Sequence, residues 1–235
     1  MGIGRQSAKP LEAGRRMATA NQPRVFLTRQ VMVYSTLCVL FALGPVVVGW
    51  VRDWQRPALW LAVVLGYRWL EQSGYSASQT RGGRKAEWLF YAIYLGLSGS
   101  ILLPPLESAF FPRQLSMGVV ATGVFLAILG AWVRYQSVKT LGEHFSTHVE
   151  VRPDHLLVDT GIMRFVRHPG YAGAMVFTLG AALVLQALYS LIYVVLFYWP
   201  LLFIRIEIEE RELSENLAGY RDYMKRTKRL VPFVF

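Results

Sequence analysis

Apolar residues in this chain fall in long blocks rather than at the spacing of a soluble amphipathic helix or strand. Residues 31–51, 57–70, 88–103, 115–133, 171–188 and 192–204 are dominated by Leu, Val, Ala, Gly and aromatic side chains. About 20 such residues cross the hydrocarbon of a bilayer as a helix. Inside lipid, backbone polar groups must be satisfied within the protein, so open chain segments do not span it. The pattern predicts an all-α polytopic integral membrane protein with five to six transmembrane helices, the last two apolar runs joined by a short turn. Pro45 is expected to kink the first span, and Pro104-Pro105 to close the third.

The polar stretches between the blocks order the chain. Residues 1–30 read as a basic tail, 31–133 as N-terminal transmembrane helices, and 134–235 as the core that carries chemistry. Segment 134–170 holds all four histidines, His144, His148, His155 and His168. It is too long for a simple connection and is expected to be functional. Lys and Arg number six in 1–30, three in 71–87, five in 134–170 and seven in 205–235, against two in 52–56 and one in 104–114. By the positive-inside rule this puts both termini and the 134–170 loop in the cytoplasm.

Composition agrees with this picture and narrows it. Hydrophobic residues make up 54% and charged residues 17%, with a mean hydropathy of +0.33. The net charge of +10 belongs to loops that meet anionic head groups, so membrane lipids are expected partners and nucleic acid is not. Residues 1–30 lack the short apolar region and cleavage site of a secretory signal; Met17 is an alternative start to Met1. Cys38 stands alone, so no disulfide or Cys–His zinc spacing exists. His144 and His148 follow Glu143 at helical spacing, but four histidines are too few for a membrane diiron site, and no metal is expected. No Gly-rich strand–turn–helix points to a Rossmann nucleotide site. Low cysteine content and the missing signal suit a bacterial inner membrane better than the endoplasmic reticulum.

Two stretches carry candidate chemistry. In "VRHPGYAG", Pro169 suits the first turn of a helix. Gly170 and Gly173 permit close approach of another backbone or a ligand. The free N–H groups of that turn can receive an anion, although an ordinary interfacial helix start would look the same. In "RIEIEE", Arg205, Glu209 and Glu212 share one helical face and Glu210 points elsewhere. Spacing alone is satisfied by a plain i,i+4 ion pair; the functional alternative is an arginine that holds a substrate carboxylate while Glu209 fixes the arginine. If the last two apolar runs form a hairpin, Arg167 and His168 lie at the same membrane face as Arg205 and Glu209. Ionisable groups there are costly unless paired or functional.

These elements together resemble the isoprenylcysteine carboxyl methyltransferase family, within the wider membrane phospholipid methyltransferase group. The shared pattern is Arg167-His168-Pro169, Tyr171, Gly173, the pair Glu209-Glu210, Tyr220 and Tyr223, then Arg229-Leu-Val-Pro232, across residues 141–235. Met163 stands where the family often has an aromatic residue, and Glu143-His144-Phe145 where it often has an asparagine. The resemblance implies S-adenosyl-L-methionine as cofactor, in a cytoplasmic pocket formed by the 134–170 loop and the C-terminal helical segment. It implies cofactor contacts from His155, Leu157, Val158, Gly161, Arg167, His168, Pro169, Tyr171, Gly173 and Glu210, with Arg205 and Glu209 at the reacting end. The activity implied is methylation of the carboxylate of a lipophilic, prenylcysteine-like substrate entering from the bilayer. Phospholipid or amine N-methylation and a non-catalytic membrane scaffold are the alternatives.

Overall fold

The computed structural model describes residues 54–74, 87–113, 116–142 and 156–231; the expected first span, together with His144, His148 and His155, lies outside them. The chain divides into Met1–Leu37 and Cys38–Phe235, and the second unit holds every described residue. In order come α1 (Gln55–Gly74), α2 (Glu87–Phe110), α3 (Met117–Leu141), a 3-10 turn (Gly161–Arg164), α4 (Pro169–Val184), α5 (Leu188–Tyr193), a π turn (Val194–Tyr198), α6 (Trp199–Asn216) and α7 (Tyr220–Arg226). Among the described residues the structure is helical apart from one isolated bridge between Val166 and Lys228. Trp88–Phe110, Met117–Leu141 and the continuous Leu188–Asn216 are long and apolar enough to cross a membrane, and α4 is a shorter apolar helix. This is an integral membrane protein.

Helix ends depart from the hydropathy reading in several places, and the turn expected after Leu188 lies instead at 185–187, between α4 and α5. α2 runs through Pro104 and Pro105 to Phe110 instead of stopping at them. Membrane helices keep such prolines because neighbouring helices re-satisfy the backbone. α3 continues past Val133 to Leu141 and ends at Gly142, whose N–H donates to the Val138 carbonyl at φ 51°; the 134–170 segment therefore opens with helix, not loop. α6 likewise carries the last apolar run onward to Asn216. In both cases the helix outlasts its apolar stretch because the i→i−4 backbone ladder does not depend on apolar side chains.

The core is α3 against α4, with α1 across them. Tyr67 of α1 stacks on Phe177 of α4 at 3.9 Å between ring centroids. The α3–α4 approach is backbone to backbone. A Cβ on Gly130 would stand 2.4 Å from the Phe177 nitrogen, and one on Gly173 would stand 2.7 Å from the Arg134 nitrogen. Without a hydrophobic force between helices in lipid, such small-residue contacts supply the packing. Large apolar side chains on the outer faces, such as Leu95, Phe125, Ile128 and Trp132, are exposed and suit lipid contact. The π turn brings Tyr193 and Tyr198, five residues apart, to one side, where they fit against Gly99 and Gly96 of α2.

At the turn that joins α4 to α5, Glu107 of α2 caps the new helix from outside. Its carboxylate accepts the Tyr189 N–H at 3.1 Å, the Ser190 N–H at 2.8 Å and the Ser190 hydroxyl at 2.9 Å. Glu107→Ala leaves these donors without their acceptor and is expected to cost about 1–3 kcal/mol. Thermal unfolding in detergent would show this loss.

Candidate functional site

The Arg-His-Pro motif is held in place by the C-terminal tail. The chain leaves the 3-10 turn, pairs Val166 with Lys228 in a parallel bridge, and enters α4 at Pro169. The Arg167 N–H donates to the Lys228 carbonyl at 2.8 Å and the His168 N–H to the Arg229 carbonyl at 2.9 Å. Gly161 starts the turn at φ 57°, where it meets the Thr140 side chain near the end of α3. The Tyr223 hydroxyl of α7 donates to the Met163 carbonyl at 2.6 Å. Burial pushes that hydroxyl up to about 12, and burial raises Tyr220 as well, so both remain neutral donors at ordinary pH.

Glu210 ties these pieces together. Its Oε1 accepts Arg167 Nε at 2.7 Å and lies 3.2 Å from His168 Nε2. Its Oε2 accepts Arg229 Nε at 2.8 Å, and Arg229 Nη2 is 2.7 Å away. Arg167 also donates to the carbonyls of Met224 and Thr227. Glu210 and His168 are buried. A carboxylate placed so deep is tolerable only when several charged donors surround it.

One residue earlier on α6, the side chain points to a different face. Tyr171 of α4 donates its hydroxyl to Glu209 Oε2 at 2.7 Å and accepts from Arg205 Nε at 3.0 Å. Arg205 is buried at 6% exposure, although its helix belongs to a span of high hydropathy. The tyrosine thus bridges the two residues that helical spacing had placed on one face. Glu212, the third member of that face, meets Asn216 instead.

A second arginine flanks the α4 start. Arg134 Nη1 lies 2.9 Å from where a Cβ on Gly170 would stand. Its Nη2 is 3.4 Å from Glu71 Oε1 of α1. The sequence reading passed over Arg134 and Glu71, because a charged residue at the end of an apolar run looks like an ordinary interfacial flank. It also left out Arg229 and Tyr223, although both stand in the C-terminal pattern that carried the resemblance.

Of the residues singled out from sequence, Arg167, His168, Tyr171, Arg205, Glu209 and Glu210 converge on the α4–α6 junction. Leu157 lies apart from that knot, against Gly219 at the α6–α7 turn; Val158 follows it in the same half-exposed segment. Pro169 is the first residue of α4. Gly173 is taken up by contact with α3. His155 lies outside the described residues, and among those described no group of three or more His, Cys, Asp or Glu side chains could hold a metal ion.

Comparison with known proteins gives this arrangement a lineage. Residues 122–215 match the profile of the isoprenylcysteine carboxyl methyltransferase family. The protein-S-isoprenylcysteine O-methyltransferase of Saccharomyces cerevisiae is 32% identical over 147 residues, which cover 61% of this chain and 61% of that protein. The protein of the same name from Dictyostelium discoideum is 33% identical over 51% of this chain and 52% of its own length. The chain thus spans roughly half to three fifths of these two relatives. The Arabidopsis thaliana protein-S-isoprenylcysteine O-methyltransferase B is 30% identical over 132 residues, 54% of this chain and 67% of that one. The solved structure of the eukaryotic intramembrane Ras methyltransferase ICMT shares the fold, with a TM-score of 0.56, 20% identity and 86% of each chain covered. With the α4 motif and the Arg205–Glu210 stretch inside the matched region, the chain belongs to the isoprenylcysteine carboxyl methyltransferase family.

Proposed function

We propose that this protein is a membrane enzyme that methylates the carboxylate of a lipophilic, prenylcysteine-like acid, with S-adenosyl-L-methionine as methyl donor. The observation that carries the reading is the buried Arg205, linked through the Tyr171 hydroxyl to Glu209 where α6 passes from its apolar start into its charged half. Ionisable groups held at that depth mark the path of a charged substrate, here an anion that arrives from lipid. The names of the relatives supply the substrate class.

The residues at the α4 start suit the proposed cofactor. It is a zwitterion whose carboxylate needs cations and N–H donors and whose adenosyl group needs an apolar wall. Arg167, His168 and the neighbouring Arg134 supply the former from side chains, since the Tyr171 and Ala172 N–H groups of the first turn of α4 already donate to the His168 carbonyl; Leu157, Val158 and Gly161 supply the latter. Bound there, the cofactor contributes an already activated methyl electrophile. The chain's own work is then placement. Arg205 orients the substrate carboxylate by its planar fork. That carboxylate is ionised at neutral pH and needs no general base. Glu209 and Tyr171 keep the guanidinium aimed, and the apolar faces of α4 and α6 exclude water from the nucleophile.

The placement in the membrane is part of the same proposal. Sixteen residues of α4 span roughly 24 Å, short of the hydrocarbon thickness of about 30 Å. One end of α4 therefore sits below the membrane surface. The polar N-terminal end is the one with partners for that position, which puts the reacting groups at the depth of a lipid acid. We place this end, both termini and the cofactor pocket on the cytoplasmic side of a bacterial inner membrane. The domain division follows the sequence reading: a tail over 1–30, helices over 31–133, and the methyltransferase core over 134–235.

Calorimetry of S-adenosylhomocysteine with purified protein, followed by transfer of labelled methyl to N-acetyl-S-farnesylcysteine, tests the reading. Micromolar binding and a labelled methyl ester are expected. Label in phosphatidylethanolamine would shift the assignment to N-methylation, with Glu209 as proton acceptor. A folded protein that neither binds nor transfers would leave only a scaffold role.

A further inference from the structure

α1 lies outside the matched residues 122–215, yet it reaches the site. Its buried stripe runs Trp60, Val64, Tyr67 and Glu71. These are helical spacings on one face, and the first three pack into the apolar core with Phe177 and Ala131. The fourth member is a carboxylate with 6% exposure. Arg68 Nη1 meets Glu71 Oε2 at 2.9 Å, and Arg134 Nη2 of α3 meets Oε1 at 3.4 Å. The other terminal nitrogen of Arg134 lies against Gly170 in the first turn of α4. Gly170 has no side chain to push it away. The Arg134 guanidinium therefore extends from Glu71 at one end to the start of α4, beside Arg167 and His168, at the other.

We infer that Glu71 is a positioning residue for the anion site: it aims Arg134 at the start of α4, so that α1 completes the site from outside the matched region. This rests on the methyltransferase reading above. A carboxylate that only stapled α1 to α3 would affect stability, whereas one that aims a guanidinium affects the affinity of a carboxylate-bearing ligand. Glu71 faces cations from its own helix and from α3, and its removal would take away the carboxylate that meets Arg134 Nη2.

The test uses the full chain as wild type, Glu71→Gln, Glu71→Asp, Arg68→Gln, Arg134→Lys and the Glu71→Gln/Arg134→Lys double variant. The readouts are thermal midpoint, Kd for S-adenosylhomocysteine, and kcat and KM for N-acetyl-S-farnesylcysteine. Glu71→Gln is expected to weaken one ligand's Kd or KM by about tenfold, a coupling typical of residues in one charge network. Glu71→Asp is expected to restore most of the affinity, and Arg68→Gln to retain it. The double variant should be no worse than Arg134→Lys alone. Loss in Kd assigns the cofactor's carboxylate to Arg134; loss in KM assigns the lipid acid's. Glu71→Gln with a lowered midpoint but unchanged Kd and KM overturns the inference, as does a double variant whose losses multiply. If Glu71→Gln does not fold, Arg134→Lys with wild-type Kd and KM overturns it. A wild type that neither binds nor methylates removes the methyltransferase reading itself, a result the other outcomes do not mimic.

Discussion

Arg205→Ala is expected to lower kcat/KM for a lipophilic acid by about 10²–10³-fold, the usual loss when one pre-placed electrostatic group is removed from a reaction site. Affinity for S-adenosylhomocysteine should stay near that of the wild type. The expectation rests on where the side chain is held. Arg205 is buried, and the Tyr171 hydroxyl accepts from its Nε while donating to Glu209. A planar guanidinium held this way is the kind of group that receives a carboxylate. Arg205→Lys should rescue poorly, because an ammonium is a point charge without the planar pair of donors. The measurement is steady-state transfer of labelled methyl, with calorimetry on the same preparation. Full turnover by Arg205→Ala would sink the substrate-carboxylate role; joint loss of cofactor binding would move Arg205 into the cofactor site.

Glu210→Ala has the largest expected effect on the folded state. It strands Arg167, Arg229 and His168 around a vacated carboxylate position, two of them buried or nearly so. Breaking a buried charge cluster from one side costs about 3–5 kcal/mol. The cluster also joins the α4 start to the tail, so the pocket it borders should loosen and cofactor affinity should fall with stability. His168→Ala removes one arm of the cluster and is expected to weaken cofactor binding with a smaller loss of stability. Thermal unfolding and S-adenosylhomocysteine calorimetry on both variants separate the two effects. A Glu210→Ala protein that melts and binds like wild type would show that the knot holds nothing of consequence.

Hydropathy was enough to establish a helical membrane protein, because lipid leaves the backbone almost no other choice. Residues 167–173 and the Glu209-Glu210 pair were also readable, since their spacing is local and their types are unusual at a membrane boundary. Helix ends were not readable. α3 and α6 continue well beyond their apolar runs, and a backbone ladder leaves no mark in hydropathy. That Glu209 and Glu210 face different ways was legible from helical spacing, but their partners needed the fold: α6 turns one toward Tyr171 and the other toward Arg167, His168 and Arg229. Gly173 could have served a ligand or a backbone, and the close α3–α4 crossing gave it to α3. Arg134 and Glu71 meet across 63 residues of sequence. Nothing local to either residue foretells that contact, because charge pairing between helices depends on how closely and at what register the helices pack.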